Sequence, residues 1–226
     1  MNETTPTAGA TAGATAVTAG AAPAAAATDR RTTRRSPARD LAYVAVFAAL
    51  IAVFALMPGI PLAGGVPITL QTLAVGLCGL VLGPVRGFLA AALYVAVGLL
   101  GVPIFAQFSG GVGVLAGPTV GYLLAFPLFA LVCGLVSLFV LRRLGRVHRG
   151  RVWVLGLLLA LGALVASFAT THPLGILGMS QVLGVDLRAA LFLDMPFWPG
   201  DVIKCLLGGL LAALVHRAFP QILRRP

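Results

Sequence analysis

GFLAAALYVAVGLLGVPIFAQFSGGVGVLAGPTVGYLLAFPLFALVCGLVSLFVL, residues 87–141, contains no Asp, Glu, Lys or Arg. The same holds for residues 41–85 and 152–185. A water-soluble fold carries charge on about a quarter of its residues and cannot spare its surface for so long. Here 10% of the 226 residues are charged and 59% are apolar. A bilayer lifts the requirement, because about 20 apolar residues in a helix cross its hydrocarbon core. The chain reads as an all-α integral membrane protein.

Gly, Pro and charged residues divide the apolar sequence into six segments, at residues 41–57, 70–82, 86–100, 119–141, 152–177 and 199–218. Six transmembrane helices are expected, the second and third short for a straight span. The arginines test the count. Arg30, Arg31, Arg34, Arg35 and Arg39 precede the first segment, and Arg86 separates the second from the third. Arg142, Arg143, Arg146, Arg149 and Arg151 separate the fourth from the fifth, and Arg217, Arg224 and Arg225 follow the sixth. With six spans all of these share one side, and only Arg188 falls on the other. Five or seven spans break the pattern. Basic loops stay in the cytoplasm, so both termini are placed there and the protein in the cell membrane. The net charge of +10 is then a topology signal, and no nucleic-acid partner is indicated.

Residues 1–39 are Ala, Thr, Gly and Pro repeats ending in a basic cluster. They offer too little large apolar surface to offset the entropy of ordering, so a disordered cytoplasmic tail is expected. Its basic residues follow the low-complexity run, and no short apolar core ends in a small-residue cleavage site, unlike a secretory signal. Residues 40–226 form the six-helix membrane domain. Cys78, Cys133 and Cys205 lie in apolar stretches without CxxC spacing, and His148, His172 and His216 are scattered. Free buried thiols are expected, with no metal site.

The loops opposite the arginines differ in kind. Residues 58–67 (PGIPLAGGVP) and 102–118 (VPIFAQFSGGVGVLAGP) carry no charge and are rich in Gly and Pro. Two readings stay open: tight turns at the membrane interface, or loops that fold back over the bundle and roof a cavity. The length of the second loop favours a roof.

Beyond Asp40 the acidic residues are Asp186, Asp194 and Asp201, and Lys204 is the one lysine. Asp201 and Lys204 stand three apart at the start of the sixth segment, on one helical face. Pro199 suits a first helical turn, and Asp201 lies near the positive end of the helix dipole. A lysine at the centre of a span costs about 3 kcal/mol on insertion scales, so it needs a partner or a wet cavity. A self-neutralising ion pair at the membrane edge meets that need; so does a ligand site, which charged residues in spans commonly mark. The pair accepts and donates hydrogen bonds side by side, which suits a ligand with adjacent N–H and C=O groups or one with a carboxylate.

Around it the sequence supplies Gln107 and Ser109 in the second outer loop, Gln71 with Thr69 and Thr72 at the start of the second span, and Tyr122 in the fourth. Phe105, Phe108, Phe197 and Trp198 are candidate apolar walls, and Trp198 equally fits an interfacial anchor. Asp186, Arg188 and Asp194 are expected to be solvated or interfacial. Ala42, Ala45, Ala49 and Ala52 recur along the first span, and Ala48 and Ala52 add a second small pair, a surface that another helix can approach closely. Gly79/Gly83 and Gly117/Gly121 are expected to pack internally. The chain has no G-x-x-x-x-G-K-[ST] motif, and no nucleophile–base pair or metal set stands out, so it is not read as an enzyme or as an ATPase of that type.

VPITLQT (66–72), GPVRG (83–87), GVPIFA (101–106), SGGVGVLAGPT (109–119), GY (121–122) and PGDVIK (199–204), in that order, resemble the BioY family, the biotin-specific S-components of energy-coupling-factor (ECF) transporters. The likeness runs from about residue 41 to 217 and leaves out the tail. It implies a six-helix substrate-binding component of an ECF-type ABC transporter that takes biotin at its outer face for ATP-driven uptake. In that family an aspartate and a lysine of the last helix hold the polar part of biotin, here Asp201 and Lys204. An amide of the second outer loop contributes; the family often has Asn where this chain has Gln107. The arginine that some members carry near the start of the fourth span has no counterpart in residues 117–122. The alanine face of the first helix (Ala45, Ala48, Ala49, Ala52) resembles the surface that docks on a transmembrane coupling subunit. Two ABC-type ATPases would use the ATP, and the chain itself would need no cofactor. The alternatives are an S-component for another vitamin and a solitary biotin transporter.

Overall fold

The computed structural model describes residues 37–62, 64–143, 151–220 and 222. The expected tail lies outside the described residues except for positions 37–39, which open the first helix. Seven α-helices follow among the described residues: α1 (Pro37–Leu56), α2 (Gln71–Leu82), α3 (Pro84–Leu99), α4 (Val120–Arg143), α5 (Val152–Leu183), α6 (Leu187–Asp194) and α7 (Phe197–Ala218). All but α6 correspond to the six apolar segments. Helices α1, α4, α5 and α7 are long and apolar enough to cross a membrane. At 1.5 Å per residue, α2 and α3 reach only about 18 and 24 Å.

The helices are apolar on both their inner and outer faces. Val46, Val53, Leu124, Leu135, Phe139, Leu161 and Val165 point outward and are exposed. In water such a surface is an aggregation liability; against acyl chains it is the expected one. Inside, α2 is the central helix: only Thr72 and Leu77 of its residues are not buried. Helices α1, α3, α4, α5 and α7 pack in succession around it.

Small residues set the closest approaches. Gly79 of α2 rests on the backbone of Ala130 in α4, and Gly121 of α4 rests on Leu174 and Gly175 in α5, so a Cβ at either position would meet a carbonyl. Of their expected partners, Gly83 also packs internally, with its backbone against Gly134 of α4. Gly83 turns the chain between α2 and α3 with φ +85, a conformation that costs a residue without Cβ nothing. Gly117 lies in the loop before α4, where its N–H donates to the Val114 carbonyl at 3.0 Å.

Two departures from expectation concern the end of α5 away from the arginines. This helix continues six residues past the expected boundary, to Leu183, and ends on Gly184 in the left-handed conformation. Asp186 then caps the unexpected α6, accepting from the backbone N–H of Ala189 at 3.0 Å.

The opposite end gathers arginines. Arg86 pairs with Asp40 at 2.9 Å, and Tyr43 lies under the guanidinium groups of both Arg39 and Arg86. Arg146, Arg149, Arg224, Arg225 and Arg30–Arg35 lie outside the described residues.

One buried junction near that end follows directly from the sequence. The carbonyl of Leu80 would ordinarily accept from the N–H four residues on, but residue 84 is Pro and has none. Ser137 Oγ of α4 donates to it at 2.7 Å, and His216 Nε2 of α7 at 2.8 Å. One proline thus creates an acceptor that ties three helices together. Replacing both donors, Ser137→Ala with His216→Leu, strands a buried carbonyl and is expected to cost about 1–3 kcal/mol. The check is a lower melting temperature of the purified double variant, with each single change milder.

Candidate functional site

Asp201 and Lys204 lie on the second turn of α7, and the helical spacing that set them on one face also makes them neighbours. Lys204 Nζ stands 2.5 Å from Asp201 Oδ1. It also donates to Thr72 Oγ1 of α2 at 2.9 Å, and the Thr72 hydroxyl is 3.4 Å from the same carboxylate oxygen. The pair is 5% and 7% exposed, so it is desolvated and does not sit open at a membrane edge. Charges removed from water need this density of partners, because losing one of a buried pair costs about 3–5 kcal/mol.

Beside the pair is a cavity of about 190 Å³, well beyond the space that a single water needs. Asp201 and Lys204 line one side with Thr72, Gln71 and Thr171. Tyr122, Leu123 and Phe126 of α4 and Phe197 of α7 supply apolar wall. The two outer loops close over it: Gly65–Thr69 from the first, and Phe105–Ser109 and Val114–Thr119 from the second, contribute lining residues. The loops therefore roof a cavity and are not simple turns.

The roof is held by backbone and by one buried chain of hydrogen bonds. Ile60 and Ile68 exchange backbone hydrogen bonds at 2.9 and 2.8 Å, which folds the first loop on itself. Gln71 Nε2 donates to Tyr94 Oη at 2.8 Å, and Tyr94 donates to the Ile104 carbonyl at 3.1 Å, tying α2 and α3 to the second loop. Phe105 lies edge-on to Tyr94 with ring centres 5.4 Å apart. Ser109 Oγ donates back to the Ala106 carbonyl at 2.8 Å, and Phe105 N–H bonds the Ser109 carbonyl. This tight turn places Gln107 and Phe108 at φ 59 and 56, a left-handed conformation that two consecutive non-Gly residues hold only when their surroundings impose it.

All seven cavity residues expected from sequence, Asp201, Lys204, Gln107, Tyr122, Gln71, Phe105 and Ser109, line this one cavity. Phe197 does too, whereas Phe108 is 68% exposed and forms no wall. Of the alanines, Ala45 and Ala49 are exposed on α1 and Ala52 is half-buried. Ala48 is corrected: it is buried in the bundle core, because its position on the helix faces inward, and it is not part of an outer docking face.

The largest correction is Asp194. Expected to be solvated, it is completely buried. It accepts from Tyr122 Oη at 2.5 Å and from Trp198 Nε1 at 2.8 Å, and lies 2.8 Å from His172 Nδ1. Trp198 is accordingly neither a wall nor a free anchor. His172, read as an isolated histidine, reaches Asp201 as well, with Nε2 3.3 Å from Oδ2. Asp194 and Trp198 are four apart in sequence but belong to different helices, α6 and α7. The approach of His172 is purely tertiary. No group of three or more metal-ligating side chains occurs among the described residues, and the three cysteines are free and buried.

Thr171 was also missed. Its side chain is buried against the cavity, and Oγ1 has no hydrogen-bond partner. The neighbouring Thr170 shows the ordinary alternative, bonding the Ala166 carbonyl at 2.7 Å.

Comparison with known proteins places this geometry in context. Residues 25–221 match the family described as the BioY family. The biotin transporter BioY of Rhodobacter capsulatus is 37% identical, over 81% of this chain and 96% of its own length. That of Thermotoga maritima is 39% identical, over 76% of this chain and 93% of its own. The crystal structure of an S-component for biotin from an ECF-type ABC transporter superposes with a TM-score of 0.67 at 26% identity, covering 79% of this chain and 91% of that one.

Thr171→Val keeps the shape and removes a hydroxyl that bonds no other protein group, so the melting temperature of the ligand-free protein is expected to change little.

Proposed function

The chain belongs to the BioY family, a family of transporter components and not of enzymes, and on that premise we propose that its roofed cavity takes biotin from outside the cell. The observation that carries the reading is the desolvated Asp201–Lys204 pair facing a roofed cavity with apolar walls. Biotin presents a neutral cyclic urea, whose N–H and C=O groups are adjacent. The Asp201 carboxylate accepts from an N–H, and the Lys204 ammonium, with a donor left after Asp201 and Thr72, donates to the carbonyl. Thr171, whose hydroxyl bonds no protein group, adds a further donor and acceptor. Phe105, Tyr122, Phe126 and Phe197 receive the hydrocarbon and thioether parts. A few placed polar groups among apolar walls are what a small-molecule site requires. Gln107 and Ser109 at the roof complete the enclosure.

In this reading the protein is the S-component of an ECF transporter in the cell membrane. Helices α2 and α3 complete six spans, and the arginine-rich end with both termini faces the cytoplasm. The exposed Ala45 and Ala49, with Ala52, offer the coupling subunit a close approach. Two ABC-type ATPases supply the work. The protein performs no chemistry on its ligand: the loops open, admit biotin and close over it.

Protein purified without added vitamins and analysed by mass spectrometry is expected to carry biotin; a different vitamin in the cavity overturns the assignment. Biotin, unlike thiamine or riboflavin, is expected to raise the melting temperature. Biotin uptake that persists in cells lacking the coupling subunits would point to a solitary transporter. Asp201→Asn or Lys204→Ala is expected to weaken biotin binding at least about tenfold, or about 1.4 kcal/mol, in a folded protein. Thr171→Val is expected to weaken it by a smaller factor, read in the same titration.

A further inference from the structure

Behind the Asp201 side of the cavity lies a second set of polar side chains, of which only Tyr122 lines the cavity. At its centre Asp194 gathers Tyr122 from α4, His172 from α5 and Trp198 from α7. Burying a carboxylate costs several kcal/mol before its partners repay it, and an apolar replacement of such a cluster is often no less stable. Packing alone therefore does not account for a carboxylate here. What the cluster holds in place does.

It holds His172. The ring is 3% exposed and stacks on Phe168 at 4.4 Å. With Nδ1 fixed on Asp194, Nε2 is the atom directed at Asp201, 3.3 Å from Oδ2. The spacing is that of an ion pair, but the approach makes no hydrogen bond, and Nε2 has no other hydrogen-bond partner. A carboxylate that fixes one imidazole nitrogen so that the other is aimed is the device that orients histidines at metal sites. Here the target is another carboxylate. Asp201 is thus approached from both sides, Oδ1 by Lys204 and Thr72 and Oδ2 by His172.

We infer that Asp194 and His172 are positioning residues, which fix the Oδ2 side of Asp201 so that its carboxylate meets the ligand in one orientation. The inference rests on the reading of the cavity as a biotin site. Neither residue touches the ligand. Asp194 orients His172, and His172 restrains Asp201. Tyr122, which lines the cavity and also donates to Asp194, is held by the same carboxylate, so one buried group sets both a polar and an aromatic part of the site.

The test is a biotin titration of the purified full chain, with melting of each ligand-free variant measured alongside. His172→Phe keeps the ring and its stacking on Phe168 and removes both nitrogens; it is expected to weaken biotin about tenfold. His172→Gln, which restores a donor, is expected to recover part of that loss. Asp194→Asn is expected to behave like His172→Phe. In an Asp201→Asn background, His172→Phe is expected to cost little more, because the group it restrains is already altered. A merely structural role gives the opposite pattern: losses that add in the double variant, no rescue by Gln, and affinity that falls only as melting temperature falls. Any of these overturns the inference, as does unchanged affinity in His172→Phe. If Asp194→Asn does not fold, the His172 series carries the test. If Asp201→Asn alone leaves biotin binding intact, or the unaltered chain binds no biotin, the reading of the cavity fails and the inference with it; a loss in Asp201→Asn with none in the His172 variants fails the inference alone.

Discussion

A carboxylate and an ammonium held out of water within an apolar bundle form the constraint around which this structure is arranged. Neither Asp201 nor Lys204 is tolerable there singly. Together they still need further partners, because the mutual attraction of a buried pair offsets its desolvation only when the remaining donors and acceptors are satisfied. Thr72 from the central helix hydrogen-bonds the pair on one side, and His172 Nε2 lies 3.3 Å from Asp201 Oδ2 on the other. Helix α2, the central helix, carries that threonine to the pair. The register between α5 and α7 places His172 opposite Asp201.

The roof answers a different constraint. Non-helical backbone near a membrane must be buried in protein or line a cavity, and apolar loop residues gain by covering one. Here the loops are anchored through Gln71, Tyr94 and the Ile104 carbonyl rather than through charge. A neutral anchor leaves the Asp201–Lys204 pair as the charged feature of the cavity lining. The left-handed turn at Gln107 and Phe108 is local strain of about 1–3 kcal/mol per residue. In the proposed mechanism this strain lies in the segment that opens to admit the ligand.

The same economy appears at the far end. Pro84 ends one helical hydrogen bond and starts the next helix in a single step, and the stranded Leu80 carbonyl becomes a meeting point for α4 and α7. Buried polar atoms in this bundle are few, and several of those present join helices distant in sequence. Between helices in a membrane the hydrophobic effect gives little direction, so close packing at small residues and a few polar junctions fix the arrangement.

Much of this could be read along the chain. The charge-free stretches determine that the helices are apolar throughout, because hydropathy is a one-dimensional property that a bilayer reads directly. The three-residue spacing determines that Asp201 and Lys204 share a face, because helical geometry is local. Apolar, Gly-rich loops that cannot remain in water predict a roof. Sequence could not place Asp194, since a lone carboxylate between two apolar segments looks solvated whether or not three donors surround it. It could not join His172 to Asp201 or leave Thr171 unpaired at the cavity, nor could it turn Ala48 inward while its neighbours face out. Those facts depend on which helix lies beside which and at what rotation. That information belongs to the packed bundle, because burial and hydrogen-bond partners are properties of three-dimensional neighbours, and the periodicity of one helix does not contain the position of the next.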